Sequence, residues 1–158
     1  MRVNDRGRAL LVVAILIVAA LHLVGLGGAH LLEPDEGRYA DVARSFLDGG
    51  SLVVPHANGT PFLDKPPLVC WAGALSMKLL GANAFALRLV PALAGVLAAL
   101  VAGAFAQACY GRGAWAAALL YGCAPLALGV GRTFTLDVPL AALVSSGVYL
   151  LLGTRPLL

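Results

Sequence analysis

Three carboxylates, Glu33, Asp35 and Glu36, fall within four residues of this 158-residue chain, and Arg38 follows less than one helical turn after Asp35. Carboxylates this close disfavour one another's charged forms, an arrangement that suits acid–base work or cation binding. The neighbouring guanidinium can hold an anion beside them. A second cluster is Asp64-Lys65-Pro66-Pro67. A lysine next to the free N–H groups of a starting helix is suited to a phosphate, and the plainer reading is an interfacial lysine that snorkels. Asp137 precedes a third candidate helix, with Pro139 in its first turn. For Asp35 and Asp137 the plainer role is an N-cap that accepts a backbone N–H. His56 reads as a solvated loop residue, and Asn58-Gly59-Thr60 matches a glycosylation acceptor pattern.

The elements that must carry these residues follow from composition. Hydrophobic residues are 60% of the chain and charged residues 12%, against about 25% charged in a soluble domain. That leaves too little polar side chain to cover a water-facing surface. The expected fold is therefore an all-α membrane protein, a single membrane domain over residues 1–158. A bilayer core needs about 20 apolar helical residues, and four segments are candidates: 9–27, 89–106, 114–131 and 138–153. Long apolar blocks exclude disorder. A formal charge of +3, spread along the chain, gives no basic patch for nucleic acid. Cys70, Cys109 and Cys123 lie in or beside apolar segments and read as small buried hydrophobes. Gly95, Ala99 and Gly103 recur every four residues, either for close helix approach or as ordinary small residues of a membrane helix.

Arg2, Arg6 and Arg8 precede the first apolar segment, so the N-terminus is expected to be cytoplasmic, with Arg112 and Arg155 on the same side. Seven of the eight acidic residues then fall outside, in the loop 28–88 and at Asp137. The first apolar stretch is longer than a signal-peptide core, which favours an uncleaved anchor. Within the loop, residues 33–50 predict an amphipathic surface helix. Tyr39, Val42, Ala43, Phe46 and Leu47 share one face, and Arg38, Asp41, Arg44 and Asp48 line the other at pairing distance. Asn58-Gly59 predicts a turn. Residues 63–81 predict a second surface helix, its apolar face marked by Leu68, Trp71, Ala72, Leu75, Leu79 and Leu80 and its end by Gly81.

Four elements in order then resemble one family. Asp35-Glu36-Gly37-Arg38-Tyr39, Lys65-Pro66-Pro67, Arg88-Leu89-Val90-Pro91 and Leu136-Asp137-Val138-Pro139-Leu140 resemble the GT-C glycosyltransferases. More narrowly, they are similar to the bacterial aminoarabinose-transferase and protein-mannosyltransferase branch, over about residues 9–153. The resemblance implies transfer of a sugar from a polyisoprenyl-phosphate carrier to a lipid, glycan or protein acceptor at the external face of the inner membrane. It implies Asp35 and Asp137 as catalytic residues, and Lys65, Arg38, Tyr39 and Glu36 as substrate-binding ones. Asp35 would orient or deprotonate the acceptor, and Lys65, with Arg38, would neutralise the departing phosphate. Asp64 is the candidate ligand if a divalent metal takes part.

Members of that family are several times longer, so the expected completion is a further portion of chain or a partner membrane subunit. The reading from another class is a non-catalytic membrane protein: a remnant, an assembly subunit or a lipid-carrier-binding bundle. Ionisable residues gathered in loops rather than in mid-membrane argue against a transporter.

Overall fold

The computed structural model describes residues 5–152, which places Arg2 and Arg155 outside the described residues. Seven α-helices and one short hairpin follow in the order α1 (Asp5–Leu23), α2 (Asp35–Leu47), β1 (His56–Ala57), β2 (Thr60–Pro61), α3 (Leu68–Leu80), α4 (Ala84–Tyr110), α5 (Ala114–Gly122), α6 (Pro125–Gly131) and α7 (Asp137–Leu152). Helix α4 is the axis of the bundle and touches α1, α3, α5, α6 and α7. The loop segment α2–α3 leans on the N-terminal end of α4, with α2 seated on α3 and on β1.

Two helices, α1 and α4, are long and apolar enough to cross a membrane, and a third crossing arises if α5 and α6 act as one broken span. The third expected span is not a continuous helix. It bends by 63° between α5 and α6. Pro125 supplies the cause, because it has no N–H for the preceding turn and its ring clashes there. Ala124 before it is extended, as the residue before a proline prefers. The fourth expected span, α7, is a 16-residue apolar helix among the described residues. The first span also ends earlier than its hydropathy suggests. The chain leaves α1 after Leu23 into turns, with Gly25 at φ 70°. Arg132 closes that end by donating to the carbonyls of Leu21 and Val24, a favourable place for a cation. Helix α4 starts ahead of the expected 89, because Asn83 caps it by accepting the Ala86 N–H at 2.9 Å.

The repeat of small residues in α4 marks real contacts. A Cβ at Gly95 would meet the His22 ring at 2.7 Å, and one at Gly103 would meet the Ala114 carbonyl at 2.8 Å. Ala99 is fully buried. Of the cysteines only Cys70 is buried; Cys109 and Cys123 are exposed on the outside of apolar helices.

The two surface helices form as expected, with one inversion. On α2, Tyr39, Val42, Ala43 and Phe46 turn into a core, while Leu47, expected on the same face, is exposed at the helix end. The predicted charge pairs on the opposite face do not close; instead Asp41 accepts the N–H of Asn58 at 2.6 Å and ties the hairpin to α2. Asn58 and Gly59 have φ values of 50° and 76°, the pair of positive angles a tight hairpin turn requires. On α3 the expected apolar face is the outward one: Leu68, Trp71, Leu75, Leu79 and Leu80 are exposed, and Val69, Cys70, Gly73, Ala74, Ser76 and Met77 are buried. Close approach explains the choice. Phe134, from the α6–α7 connection, sits so near Gly73 that a Cβ there would lie 2.5 Å from its ring. A large side chain on that face has no room.

Phe134 is fully buried at the centre of this core. Phe134→Ala should therefore lower stability by about 3–5 kcal/mol. Thermal unfolding of the purified chain in detergent, followed by circular dichroism, measures it; an unchanged midpoint would contradict the seating described.

Candidate active site

Adjacent residues on a helix point about 100° apart, so the first turn of α2 must divide its carboxylates between protein and solvent. Glu36 takes the interior and is 1% exposed. Its Oε1 accepts Arg88 Nε at 2.9 Å and the Phe134 N–H at 2.6 Å. Its Oε2 accepts Arg88 Nη2 and the Leu32 N–H, both at 2.7 Å. Burial by itself would raise the Glu36 pKa, but the Arg88 guanidinium and the two backbone N–H groups more than reverse that, and it lies below the ordinary value. Arg88 spends its remaining donors on the carbonyls of Leu26, Ala29 and His30. Every lone pair that Glu36, expected as a substrate-binding residue, presents is thus occupied from within the protein.

Asp35 is left on the outside. It is exposed at the first position of α2, and the cap position falls on Pro34 with no side-chain hydrogen bond. The capping role expected for Asp35 is thus not taken up. Arg38 is exposed one turn on. Tyr39 is buried, and its phenol is pushed up first by burial, then by the charges of Asp35 and Asp137, with Arg38 acting in the opposite sense. Asp35, Arg38 and Asp137 are accordingly all within electrostatic reach of one hydroxyl, although Asp137 is 102 residues further along the chain than Asp35 (137 − 35). Asp137 opens α7, is exposed, and stands beside an apolar groove of about 520 Å³ lined by Tyr121, Leu126, Val130 and Val138.

The segment that leads to Lys65 is tied to α2 at Phe62. Phe62, three residues earlier, meets the Tyr39 ring edge-on with centroids 6.2 Å apart. The Phe62 N–H bonds to the Pro55 carbonyl at 2.7 Å, which fixes the strand leading to Lys65. Lys65 itself is exposed in a bend before Pro67, the residue that caps α3. Asp64 beside it is exposed, and among the described residues no three His, Cys, Asp or Glu side chains converge as a metal centre. His56 is half-buried in β1, with Nδ1 against the Val54 carbonyl at 2.9 Å. Chemically the arrangement offers two exposed carboxylates, Asp35 and Asp137, and the Arg38 cation around a partly desolvated phenol, with Lys65 exposed ahead of α3.

Residues 64–154 match the dolichyl-phosphate-mannose-protein mannosyltransferase family. The chain belongs to that family. It is also similar to undecaprenyl phosphate-alpha-4-amino-4-deoxy-L-arabinose arabinosyl transferases, at 37% identity to that of Edwardsiella ictaluri over 73% of the chain and 21% of the relative. The Pectobacterium atrosepticum protein is 33% identical over 79% of the chain and 23% of its own length. The chain thus spans about a fifth of the length of the curated relatives it matches. Among solved structures it resembles ArnT from Cupriavidus metallidurans, with a TM-score of 0.81 for the form bound to undecaprenyl phosphate and 0.85 for the apo form. Both are 29% identical, and the likeness covers 98% of this chain and 29% of that one. The loop carrying α2 and α3 is therefore part of an architecture shared with a membrane glycosyltransferase, and all-α membrane protein is the right class for this chain.

Sequence reasoning missed the partnership that holds the site. Arg88 was legible only as part of Arg88-Leu89-Val90-Pro91, and Phe134 lies two residues ahead of Leu136-Asp137-Val138-Pro139-Leu140 with no signal of its own. The available signal was an arginine at the start of an apolar segment, which must find a buried anion or snorkel. Glu36→Gln removes the anion and turns an acceptor into a donor aimed at a backbone N–H. It should cost about 3–5 kcal/mol, the range for breaking a buried pair. The wild-type pair, with its glutamate pKa depressed, contributes fully above the ordinary value of 4.5 and is lost as pH falls through the lower folded value. Thermal unfolding across acidic pH should therefore show a steepening loss in the wild type that is absent in Glu36→Gln.

Proposed function

We propose that this chain supplies the acceptor-activating and phosphate-binding part of a polyprenyl-phosphate-dependent glycosyltransferase. The observation that carries the reading is the exposed, uncapped carboxylate of Asp35, held beside an internally saturated Glu36 and sharing the Tyr39 hydroxyl's field with Asp137. Asp35 orients the acceptor group and takes its proton. The acceptor oxygen or nitrogen forms its bond to the sugar's anomeric carbon as the bond to the carrier phosphate breaks. Lys65 and Arg38 offset the charge that develops on the leaving phosphate. Asp137 shapes the other wall, and Tyr39 supports both carboxylates. One base and one leaving-group cation suffice for a single inverting displacement, unlike the two-carboxylate scheme of retaining hydrolases.

The relatives' names support an undecaprenyl-phosphate-linked sugar as donor, and the acceptor is a lipid, glycan or protein. The chain is a multi-pass protein of the inner membrane. Arg6 and Arg8 at the start of α1 favour a cytoplasmic N-terminus, which puts α2, the hairpin and α3 on the external face. A further portion of chain or a partner membrane subunit completes the enclosure of the carrier. Asp64 is the candidate ligand if a divalent metal takes part.

Membranes containing the protein, in its full genomic form or with its partner subunit, test the reading by transfer of labelled sugar from an undecaprenyl-phosphate donor. Asp35→Asn should lower transfer by about 10³-fold or more, in line with loss of a general base and its positioning. Lys65→Ala should lower it by about 10²-fold, as for one electrostatic partner of the developing charge. Expression should be unchanged in both, since both residues are exposed. Undiminished transfer in Asp35→Asn would overturn the role given to Asp35, and if neither variant altered any glycan or lipid-linked sugar pool, a non-catalytic membrane protein would be the better reading.

A further inference from the structure

A second surface of the loop has no part in this chemistry. After α2, Gly49 and Gly50 turn the chain into a bend that pushes Leu52 and Val53 outward, 63% and 82% exposed. Opposite them runs the outward face of α3, with Trp71, Leu75 and Lys78 at helical spacing. Together they bound a groove of about 560 Å³ floored by Phe46 and Ala74. The groove is held open by specific contacts. Trp71 Nε1 donates to the Leu52 carbonyl at 3.0 Å, and the Trp71 ring tilts against Phe46 with centroids 6.5 Å apart.

Lys78 is the one ionisable side chain in the lining, and it is exposed with no hydrogen-bond or ion-pair partner among the described residues. It also sits in the last turn of α3, where a cation is favoured. Apolar walls with a single unpaired ammonium and no carboxylate suit a molecule that joins a hydrocarbon chain to an anion. The groove's surroundings agree. Gly81, Ala82 and Asn83 connect α3 directly to α4, whose Phe85, Leu93 and Leu97 are exposed on a helix long enough to span a bilayer. The outward apolar face of α3 thus lies one short connection away from a bilayer-length helix with exposed apolar side chains. A tryptophan and a lysine on such a face are the residue types that settle at headgroup depth.

We propose that this groove seats an acyl chain of an anionic glycerophospholipid from the surrounding leaflet, with Lys78 on its phosphate, so that α3 rides in the interfacial layer. The surface is distinct from the carboxylate site and does not depend on sugar transfer. Its role would be to fix the depth of the loop relative to the membrane plane.

The test uses the full chain carrying Trp115→Phe, which leaves Trp71 as its one tryptophan. In vesicles of phosphatidylglycerol brominated near the headgroup end of the acyl chain, Trp71 fluorescence should be strongly quenched. Bromines at the chain terminus should quench it much less. Equal absence of quenching by both lipids would overturn the proposal. Native mass spectrometry in detergent then gives phosphatidylglycerol affinity, which Lys78→Ala should weaken about fivefold, as expected for one basic contact to an anionic lipid. An unchanged affinity would remove Lys78 from the site. Undecaprenyl phosphate is the competing ligand: if it relieves the quenching at equimolar lipid, the groove belongs to the isoprenyl carrier and the phospholipid assignment is wrong.

Discussion

A glutamate and an arginine buried together at the membrane boundary must have every polar atom met, because desolvating two charges costs several kcal/mol each unless hydrogen bonds replace the water. The Glu36–Arg88 pair meets that demand in full. All five guanidinium N–H groups find acceptors, two on Glu36 and three on the carbonyls of Leu26, Ala29 and His30. The carboxylate in turn accepts four donors, two from Arg88 and two from the backbone at Leu32 and Phe134. The partners come from the stretch after α1, the start of α2, the start of α4 and the connection into α7. One ion pair thereby joins four chain segments, and none of them can move without stranding a buried charge.

The site follows from that constraint. With Glu36 turned inward, its neighbour Asp35 must face out, since the helix rotates them apart. With the Phe134 N–H pinned to Oε1, the ring of Phe134 drops between α2, α3 and α4, and Asp137 arrives three residues later at the opening of α7. Packing then restricts α3. Phe134 occupies the space over Gly73, so α3 can approach only by its small side, and its leucines and Trp71 are turned outward. Placement of two exposed carboxylates and the outward apolar face of α3 are thus consequences of the same buried contact.

Elements whose signals are local were legible in the sequence. The apolar and charged faces of α2, the proline start and glycine end of α3, and the Asn58-Gly59 turn each rest on a few consecutive residues. What could not be read depends on distant partners or on the identity of the solvent. Glu33, Asp35 and Glu36 look alike until Arg88, 52 residues beyond Glu36, selects one of them. Leu68, Trp71 and Leu75 mark an apolar face whose period is the same whether protein or lipid covers it. The break at Pro125 was visible as a residue, but a uniformly apolar stretch on both sides concealed its effect. The charge pairs expected on α2 lost to a competitor with no charge, since Asp41 gains more from the otherwise unpaired Asn58 N–H than from a solvated arginine.

Lipid as solvent also decides which residues set the geometry beneath the site. Between helices in a bilayer there is no gain in burying a leucine, because the acyl chains are equally apolar, so close contact must come from shape. The contacts here follow that rule. Gly95 and Gly131 leave room for the His22 ring, Gly122 admits Val18, and Gly103 lets α5 reach α4. His22 is fully buried and bonds its own helix through Nδ1 to the Val18 carbonyl, so it fills the space as a shaped wedge between α1, α4 and α6. These glycines hold α1, α4 and the α5–α6 bend at fixed separations. The carbonyls of Leu21, Val24 and Leu26 at the end of α1 are thereby delivered to Arg132 and Arg88. The polar cluster at the surface therefore depends on an apolar fit within the membrane, and a side chain added at Gly95 would displace the end of α1 from both arginines.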